Sequence, residues 1–494
     1  MKYTVAFDIG TTAIKGVVVS DKKNVVFQYS LPLKTFYSGV YKEQNPDDWY
    51  KAFCDISALI FRESISPDDI RGIIMSGQMQ DLILVDKTHE PLGNAILYSD
   101  GRAIEEAAHI NSLVGEDTIR QITGNVMDAS IPAAKLLWLR RHEEERYMRI
   151  FKVLGSSKDY IILKLCGIAL GDITAASTFG LMDIHTKNWD SSLLNDLNIN
   201  PEILPDLLCC NKQGGTVSNA AAVQTGFREG TPVYVGVGDA GASTLSAGIT
   251  RPDEYNIYLG TSGWIATVST DILSPKGVFN LAAISEGLYI NVVPFLNAGS
   301  VHKWISDLMW HDELSYNKYD YADLLLEESE AGSGGLLFLP YLSGERFPVM
   351  NQKACGIFIG LNNGSSKAQL IRSCLEGVAF SIRQGLETMG TGKPKRISLA
   401  GGGAKTRVWC QIFADTFQSS ITVPEDSSEY LPSIALCSVV FIDQGLETSY
   451  ESFITSISGN RELEYQPSLA KQSVMEEQYR RYLKIYPAVV DLFS

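Results

Sequence analysis

The chain has 494 residues, a hydrophobic content of 45% and a formal net charge of −15. One hydrophobic core rarely serves a chain of this length, so we expect two domains. The negative charge disfavours nucleic acid or an anionic membrane as the partner, because both select clustered Lys and Arg. A polyanionic substrate such as ATP stays possible if Mg²⁺ and local positive groups offset the field.

The sequence also predicts where the protein resides. The N-terminus enters a strand within three residues and shows no secretory signal. No apolar run approaches the roughly 20 residues that a membrane span needs. The eight cysteines are scattered, which is typical of reduced thiols. Together these features predict a cytoplasmic protein without a membrane partner.

The first twenty residues predict a hairpin, in which two β-branched and aromatic runs flank a Gly-Thr-Thr turn. Asp8 ends the first strand and Lys15 opens the second. Gly10 would let phosphate oxygens approach the backbone, Lys15 would add positive charge, and Asp8 could hold Mg²⁺. The hydroxyl donors of the turn are Thr11 and Thr12. Ordinary hairpins select similar residues, so the turn alone does not establish phosphate binding.

Further elements of an α/β sheet follow the hairpin. The pattern predicts strands over residues 25–31, 71–76 and 82–86, and a helix over 46–63 capped by Asn45. The polar loop 77–81, which contains Met79 and Gln80, leaves the end of a strand, where α/β proteins place ligands. A plain surface connection is the alternative.

Residues 97–113 predict a loop followed by a helix. Asp100 could cap the helix while Arg102 is solvated, or the two could bind a polyol together. Residues 130–142 read as an amphipathic helix with a basic end, which needs no functional explanation.

Asp239 joins a predicted strand over 232–238 to a helix of small residues. As a helix N-cap it would be unremarkable. Beside a phosphate-binding hairpin, the same carboxylate could serve as a general base. Both interpretations stay open at this point.

A second hairpin over residues 255–269 repeats the first, with Gly260, Thr261 and Ser262 in its turn. The repeat indicates duplication of a whole domain, and two such hairpins facing each other would form a phosphate clamp. Residues 396–407 then predict a strand, a turn of three glycines and a helix. That turn would let a flat ligand or its phosphates approach the backbone.

These motifs together resemble the FGGY carbohydrate kinases, most closely the xylulokinase-like members. The resemblance runs from Asp8 to about Asp443 and rests on the first hairpin and two longer segments. Residues 130–142, with Pro132, Lys135 and Trp138, resemble the first family signature, and residues 356–376 resemble the second.

The resemblance implies an α/β fold of two duplicated ribonuclease H-like domains, as in actin-like ATPases, with an interdomain cleft. Residues 1–246 would form the N-terminal domain with the sugar site and the base. Residues 247–494 would form the C-terminal, nucleotide-binding domain with the terminal helices. A homodimer is a further implication of the resemblance.

The resemblance also assigns roles residue by residue. Asp239 matches the base that takes the proton from the sugar hydroxyl, and Asp8 matches the carboxylate linked to Mg²⁺, with Asp239 as a second candidate for the metal. The ATP contacts would be Gly10, Thr11, Thr12, Lys15, Gly260, Thr261, Gly299, Lys303, Gly402, Gly403 and Arg407. The sugar contacts would be Met79, Gln80, Asp100, Arg102 and Asp239.

The chain departs from the xylulokinase pattern on the sugar side. Gln80 stands where His is usual, Ala240 where Asn often follows the base, and Ser99 where Asn is usual. The leading prediction is an ATP- and Mg²⁺-dependent kinase that converts D-xylulose to D-xylulose 5-phosphate. Alternatives are a kinase of another ketose, a polyol or a sugar acid, and a non-catalytic actin-like switch for sugar and ATP.

Overall fold

The computed structural model of the chain describes residues 1–310, 317–424, 428–457 and 462–493. In these ranges, no helix is both long enough and apolar enough to cross a bilayer. All eight cysteines lie within them and are free thiols.

The N-terminal half contains the first group of strands and helices. Its strands are Tyr3–Ile9, Ala13–Ser20, Val25–Pro32, Phe36–Ser38, Tyr41–Gln44, Ile70–Gly77, Ile83–Val85, Ala95–Ile96, Lys152–Leu154, Leu170–Asp172, Met182–Asp183, Asn188–Trp189, Asp206–Leu208, Gln213–Thr216, Pro232–Tyr234 and Val237–Gly238. Its α-helices are Pro46–Arg62, Ile104–Val114, Glu116–Thr123, Pro132–His142, Glu144–Tyr147, Ser157–Cys166, Ile173–Ala176, Ser191–Asp196, Asn219–Thr225 and Asp239–Ser246, with 3₁₀ turns at Pro67–Asp69 and Pro201–Ile203.

The C-terminal half contains the second group. Its strands are Glu254–Leu259, Gly263–Ser269, Phe279–Ala282, Tyr289–Phe295, Leu337–Leu339, Ile357–Ile359, Arg396–Ala400, Ser420–Pro424 and Glu462–Tyr465. Its α-helices are Gly299–Met309, Lys318–Glu327, Lys367–Met389, Arg407–Phe417, Leu431–Asp443, Tyr450–Ile457, Gln472–Tyr482 and Ile485–Val489, with 3₁₀ turns at Ser333–Gly335, Gly402–Lys405 and Val490–Phe493.

Each half is built on one mixed sheet, and the two sheets repeat one topology. In the first, Tyr3–Ile9 pairs antiparallel with Ala13–Ser20 and parallel with Ile70–Gly77. In the second, Glu254–Leu259 pairs antiparallel with Gly263–Ser269 and parallel with Arg396–Ala400. A third antiparallel strand extends each hairpin, and a second parallel strand extends each opposite side. The predicted duplication is confirmed.

Local sequence explains why the helices that flank these sheets begin where they do. The Asn45 side chain accepts a hydrogen bond from the Asp47 N–H and caps the helix Pro46–Arg62. Ser366 and Gln369 form a reciprocal capping box at the start of Lys367–Met389. The helix Pro46–Arg62 is close to the one predicted over 46–63.

The helix Leu431–Asp443 belongs to the second half in sequence but packs on the first sheet. Its buried side chains join one apolar cluster with side chains of three strands of that sheet. The cluster includes Ala6, Val17, Val19, Ile74, Ile434, Leu436 and Val440. The Tyr234 hydroxyl donates to Asp443 at 2.6 Å, and Arg71 and Gln444 exchange two hydrogen bonds of 3.1 Å. This helix therefore links the second half of the chain to the sheet of the first half.

A buried polar junction also joins the halves. Asn125 Nδ2 donates to the Asn280 carbonyl at 2.9 Å, and the Asn280 N–H donates to Asn125 Oδ1 at 2.8 Å. Asn280 Nδ2 donates to the Gly124 carbonyl at 2.6 Å. Both asparagines are almost fully buried, so these hydrogen bonds are shielded from competing water.

The helix predicted over 130–142 forms, but its amphipathic character is wrong. Every residue from Pro132 to Leu139 is buried, and only the basic end reaches the surface. Lys135 is among these buried residues, with no exposed surface. Tertiary packing buries Lys135 together with its apolar neighbours, so the helix has no polar face before its basic end.

Candidate functional site

Three parallel strands of the first sheet end side by side. Ile9 and Gly238 both pair with Gly77, so the segments that follow these three residues leave the same edge of the sheet. These segments are the first hairpin turn, the loop 77–81 and the helix that starts at Asp239. The edge thus brings together the predicted phosphate, sugar and base residues of the N-terminal half.

The first hairpin turn is held by two glutamines. The Thr11 hydroxyl donates to Gln78 Oε1 at 2.7 Å, and Gln44 Nε2 donates to the Thr11 carbonyl at 2.6 Å. Gln44 Oε1 accepts from Gln78 Nε2 at 3.0 Å and from Trp49 Nε1 at 2.9 Å. The Thr11 hydroxyl, predicted as a phosphate donor, is therefore engaged by Gln78, whereas Thr12 is exposed.

Asp8 lies at the end of the first strand with one oxygen fixed. The Ser76 hydroxyl donates to Asp8 Oδ1 at 2.8 Å, while Lys15 Nζ lies 3.9 Å from Asp8 Oδ2 and 3.4 Å from Glu429. Burial raises the pKa of Asp8, and the Ser76 hydrogen bond and Lys15 partly oppose that rise. Asp8 Oδ2 therefore has Lys15 as its ion-pair partner, at the long distance of 3.9 Å.

Asp239 is the first residue of its helix rather than the cap. Gly238 occupies the N-cap position, and Asp239 Oδ1 accepts from the Ala240 N–H at 2.8 Å. The residue is exposed to water, yet the surrounding protein displaces much of the bulk solvent. This desolvation, with the negative charge of Asp8, raises the pKa of Asp239 to about 7. Such a carboxylate can accept a proton near neutral pH.

Met79 and Gln80 differ in what they present to this edge. The Met79 side chain is buried and packs on Gly238, where a Cβ atom would collide with the Met79 side chain. Gln80 has a left-handed backbone, with φ of 60°, and a partly exposed side chain. Its carbonyl accepts a 2.8 Å hydrogen bond from Lys135 Nζ.

Arg102 and Asp100 are both buried and bind each other. Arg102 donates through Nε and Nη2 to the two Asp100 oxygens, at 2.9 and 2.8 Å, and through Nη2 to Glu43 at 2.6 Å. Its guanidinium carbon lies 4.3 Å from the Tyr41 ring centre and 4.9 Å from that of Trp138. Asp100 does not cap the following helix and Arg102 is not solvated, so that alternative is wrong.

The second hairpin turn abuts a helix. The N–H groups of Gly299 and Ser300 donate to the carbonyls of Gly260 and Thr261, at 2.7 and 2.9 Å. A Cβ atom at Gly299 would collide with the Gly260 carbonyl, so this close approach requires glycine. The structure thus brings together Gly260, Thr261 and Gly299.

The three-glycine turn lies at the same edge. Leu259 precedes the second hairpin turn, and a Cβ atom at Gly401 or Gly403 would lie within 2.8 Å of it. Gly402 is exposed, and a Cβ atom there would have no neighbour within 4 Å among the described residues. Two of the glycines serve the packing of the turn, and Gly402 is open to a ligand.

Lys303 and Arg407 are less closely tied to this edge. Lys303 is exposed and pairs with Asp307, one helical turn further on, at 2.6 Å. Arg407 is exposed at the start of its helix, where its charge acts to lower the pKa of Tyr465. Both stay predictions as nucleotide contacts.

Sequence reasoning missed Glu345. This buried carboxylate accepts from the Leu296 N–H at 2.7 Å and from Asn297 Nδ2 at 3.0 Å, just before the helix that starts at Gly299. Gln44 and Ser76 were missed in the same way. The only sequence signal was a polar residue within or beside an apolar strand, and most such residues have no functional role.

Within the described ranges, no cluster of three or more His, Cys, Asp and Glu side chains could hold a metal ion. Asp8 and Asp239, whose charges repel each other, are a two-carboxylate donor set. Mg²⁺ is commonly bound by one or two carboxylates with phosphate oxygens and water. The residues present therefore fit Mg²⁺ that arrives with a nucleotide.

The chain matches known proteins along most of its length. Residues 3–246 match the N-terminal domain, and residues 255–434 the C-terminal domain, of the FGGY family of carbohydrate kinases. A xylulose kinase of Staphylococcus xylosus is 32% identical over 432 residues, covering 85% of this chain and 87% of the relative. A gluconokinase of Bacillus licheniformis is 28% identical over 505 residues, covering 99% and 95%.

A solved structure matches equally well. The crystal structure of xylulose kinase from Rhodospirillum rubrum superposes with a TM-score of 0.92 at 28% identity and covers 100% of both chains. Two family domains, a duplicated actin-like fold and these relatives all indicate the same family. The chain therefore belongs to the FGGY family of carbohydrate kinases, which phosphorylate sugars.

Proposed function

We propose that this sugar kinase transfers the γ-phosphoryl group of ATP to D-xylulose and forms D-xylulose 5-phosphate, with Asp239 as the general base. The observation that carries the proposal is the Asp239 carboxylate, which is exposed beside Asp8 and has its pKa raised to about 7. Among the described residues, the Asp239 carboxylate accepts a hydrogen bond only from the backbone, so it is free to approach a sugar hydroxyl.

In the proposed reaction, Asp239 takes the proton as the sugar oxygen attacks the γ-phosphorus. The bond from that phosphorus to the β–γ bridging oxygen breaks, and ADP leaves. Asp8 and Asp239 would hold Mg²⁺, which neutralises phosphate charge when bound. Lys15 and the two hairpin turns would position the phosphates, and Gln78 would keep the first turn in place.

The two halves of the chain would bind different substrates. Residues 1–246 would bind the sugar through Gln80, with Met79 shaping the pocket, and would supply the base. Residues 247–494 would bind the nucleotide around Gly260, Gly299 and Gly402, and among the described residues Gly402 has open space beside its backbone.

The charges on the sugar side favour a neutral acceptor over a sugar acid. Arg102 is the cation on this side, but two carboxylates, Asp100 and Glu43, already bind it. Lys135 is buried with its donors on backbone carbonyls. Among the described residues, a gluconate carboxylate would find these two cations already paired and would face several negative groups.

Gluconate is nevertheless the second candidate, because a gluconokinase is among the relatives of nearly full length. The test is ADP formation with Mg²⁺ across ketoses, aldoses, polyols and sugar acids. We expect kcat/KM for D-xylulose to exceed that for D-gluconate by about 100-fold or more. Preference for gluconate would overturn the choice of sugar, and no turnover with any acceptor would favour the non-catalytic switch.

A further inference from the structure

Lys135 is a buried lysine whose ammonium joins two loops. Its Nζ donates to the Gln80 carbonyl at 2.8 Å and to the Leu97 carbonyl at 2.7 Å, and the residue has no exposed surface. The two carbonyls lie in residues 77–81 and 97–102, here called the sugar-side loops. One side chain on the helix Pro132–His142 therefore fixes the distance between both loops.

The Gln80 end of this contact holds an unfavourable backbone. With φ of 60°, Gln80 is in the left-handed region, which residues with a Cβ atom seldom adopt without support. A hydrogen bond to a charged donor is stronger than one to a neutral donor. The Lys135 ammonium therefore provides the support that this conformation needs.

The surrounding charges keep the ammonium in place. Burial lowers the pKa of Lys135 to about 8, and the buried carboxylates of Asp81 and Asp100 nearby oppose that lowering. Asp81 Oδ1 accepts from the Tyr98 N–H at 3.2 Å, whereas Asp81 Oδ2 has no hydrogen-bond partner among the described residues. Loss of Lys135 would leave the Gln80 carbonyl without its donor, would leave the Leu97 carbonyl with the Asp100 N–H alone, and would remove a cation from near Asp81 and Asp100.

We infer that Lys135 is a positioning residue for the sugar, because it sets the spacing of the sugar-side loops and the conformation of Gln80. It does not touch the reacting atoms and acts through the backbone of the residues it binds. The inference rests on the proposed placement of the sugar between these loops. It predicts a defect in acceptor binding without a defect in nucleotide binding.

The test compares Lys135→Met with the matched control Lys152→Met. Lys152 also donates to two backbone carbonyls, those of Glu202 and Leu204, both at 2.8 Å, but it touches neither sugar-side loop. We expect Lys135→Met to raise the KM for the acceptor sugar by about tenfold or more, and to change the KM for ATP by less than about twofold. Lys152→Met should leave both constants near the wild-type values.

An unchanged sugar KM in folded Lys135→Met would overturn the inference. Equal increases in the KM for sugar and for ATP, or the same increase in Lys152→Met, would also overturn it, because a general loss of structure would then explain the effect. If Lys135→Met does not fold, Lys135→Gln is measured instead, since its amide can still donate to one carbonyl. The same outcomes then support or overturn the inference about Lys135.

A second readout separates this inference from the proposed function. Amide hydrogen exchange of the sugar-side loops is measured without ligands in wild type and both variants. Faster exchange confined to these loops in Lys135→Met supports the inference even if D-xylulose is not the acceptor, and unchanged exchange overturns it. Failure of the acceptor panel with a positive exchange result would count against the proposed function alone.

Discussion

At the scale of single residues, the chemistry of the site follows from placing two carboxylates at one sheet edge. Asp8 ends a strand of that sheet, and Asp239 directly follows another. Each is partly desolvated, and the charge of Asp8 raises the pKa of Asp239. Under the proposed function, the same two carboxylates would accept a proton and bind a metal ion, and these two roles compete. The bound sugar and nucleotide would determine which role each carboxylate takes.

The first prediction concerns the base. Replacing the carboxylate in Asp239→Asn removes the proton acceptor but keeps the shape, so we expect kcat to fall by about 1,000-fold. ATP affinity, measured by calorimetry, should change by less than about threefold, because other residues hold the nucleotide. Near-wild-type phosphorylation by this variant would rule Asp239 out as the base.

The second prediction concerns pH. The pKa of Asp239 is raised from 3.8 to about 7, so the reactive carboxylate is lost as the pH falls through that value. Because the exposed side is solvated, we expect the profile of kcat/KM to report a pKa at or somewhat below about 7 but clearly above the ordinary value of 3.8. A rate that stays constant down to pH 5 would contradict a perturbed base.

Sequence reasoning could place Asp8 and Asp239 at strand ends because an apolar run precedes each, while the role of Asp239 as the base came from the family resemblance and stays a prediction. It could not identify Gln44, whose amide reaches the first turn from a separate strand. It named Lys135 in a family signature but did not predict its burial, because a lysine inside an apolar helix looks solvent-exposed until tertiary packing buries it. Such contacts depend on residues far apart in sequence.

At the scale of secondary-structure elements, the helix Leu431–Asp443 links the second half of the chain to the sheet of the first half. Its apolar side chains cover the face of the first sheet, and its C-terminal end is fastened to Tyr234 and Arg71. The helix thus stabilises the sheet that positions Asp8.

The third prediction tests this packing with Leu436→Ala. Leu436 has no exposed surface, so we expect a loss of about 2–5 kcal/mol in the free energy of unfolding, measured by denaturant titration. Hydrogen exchange in the strand Tyr3–Ile9 should accelerate, although that strand lies more than 400 residues away in sequence. The control Leu446→Ala changes a residue that is 40% exposed and should cost less than about 1 kcal/mol. Equal effects would contradict the assigned packing.

The strands predicted over 25–31 and 71–76 and the helix predicted over 46–63 could be found because their hydrophobic period is local, as is the Asn45 cap. The pairing of each hairpin followed from its turn. The crossing of Leu431–Asp443 onto the other half could not be predicted, because a helix buried on nearly all sides does not specify which sheet covers it.

At the scale of the whole molecule, two sheets of the same topology are held together by a helix and a polar junction. The junction lies where Asn125 and Asn280 exchange hydrogen bonds between the halves. An actin-like kinase is expected to close around its substrates, so the contacts that join its halves affect both binding and stability.

The fourth prediction addresses this junction with Asn280→Ala. The substitution removes the side-chain hydrogen bonds to Gly124 and Leu273 and leaves their polar groups buried. We expect Tm to fall by roughly 5 °C or more in differential scanning calorimetry. Asn195→Ala, at an exposed position, should leave Tm within about 1 °C of wild type. An unchanged Tm in Asn280→Ala would show that these side-chain hydrogen bonds add no stability.

The path of the chain through Leu431–Asp443 has a consequence during synthesis on the ribosome. When residue 246 has been translated, the apolar face that includes Ala6, Val17 and Ile74 still lacks the helix that will cover it. Nearly 200 further residues must be added before that helix emerges. We therefore expect the nascent N-terminal half to need chaperones. A fragment that ends at residue 246 should aggregate unless the missing helix is supplied as a separate peptide.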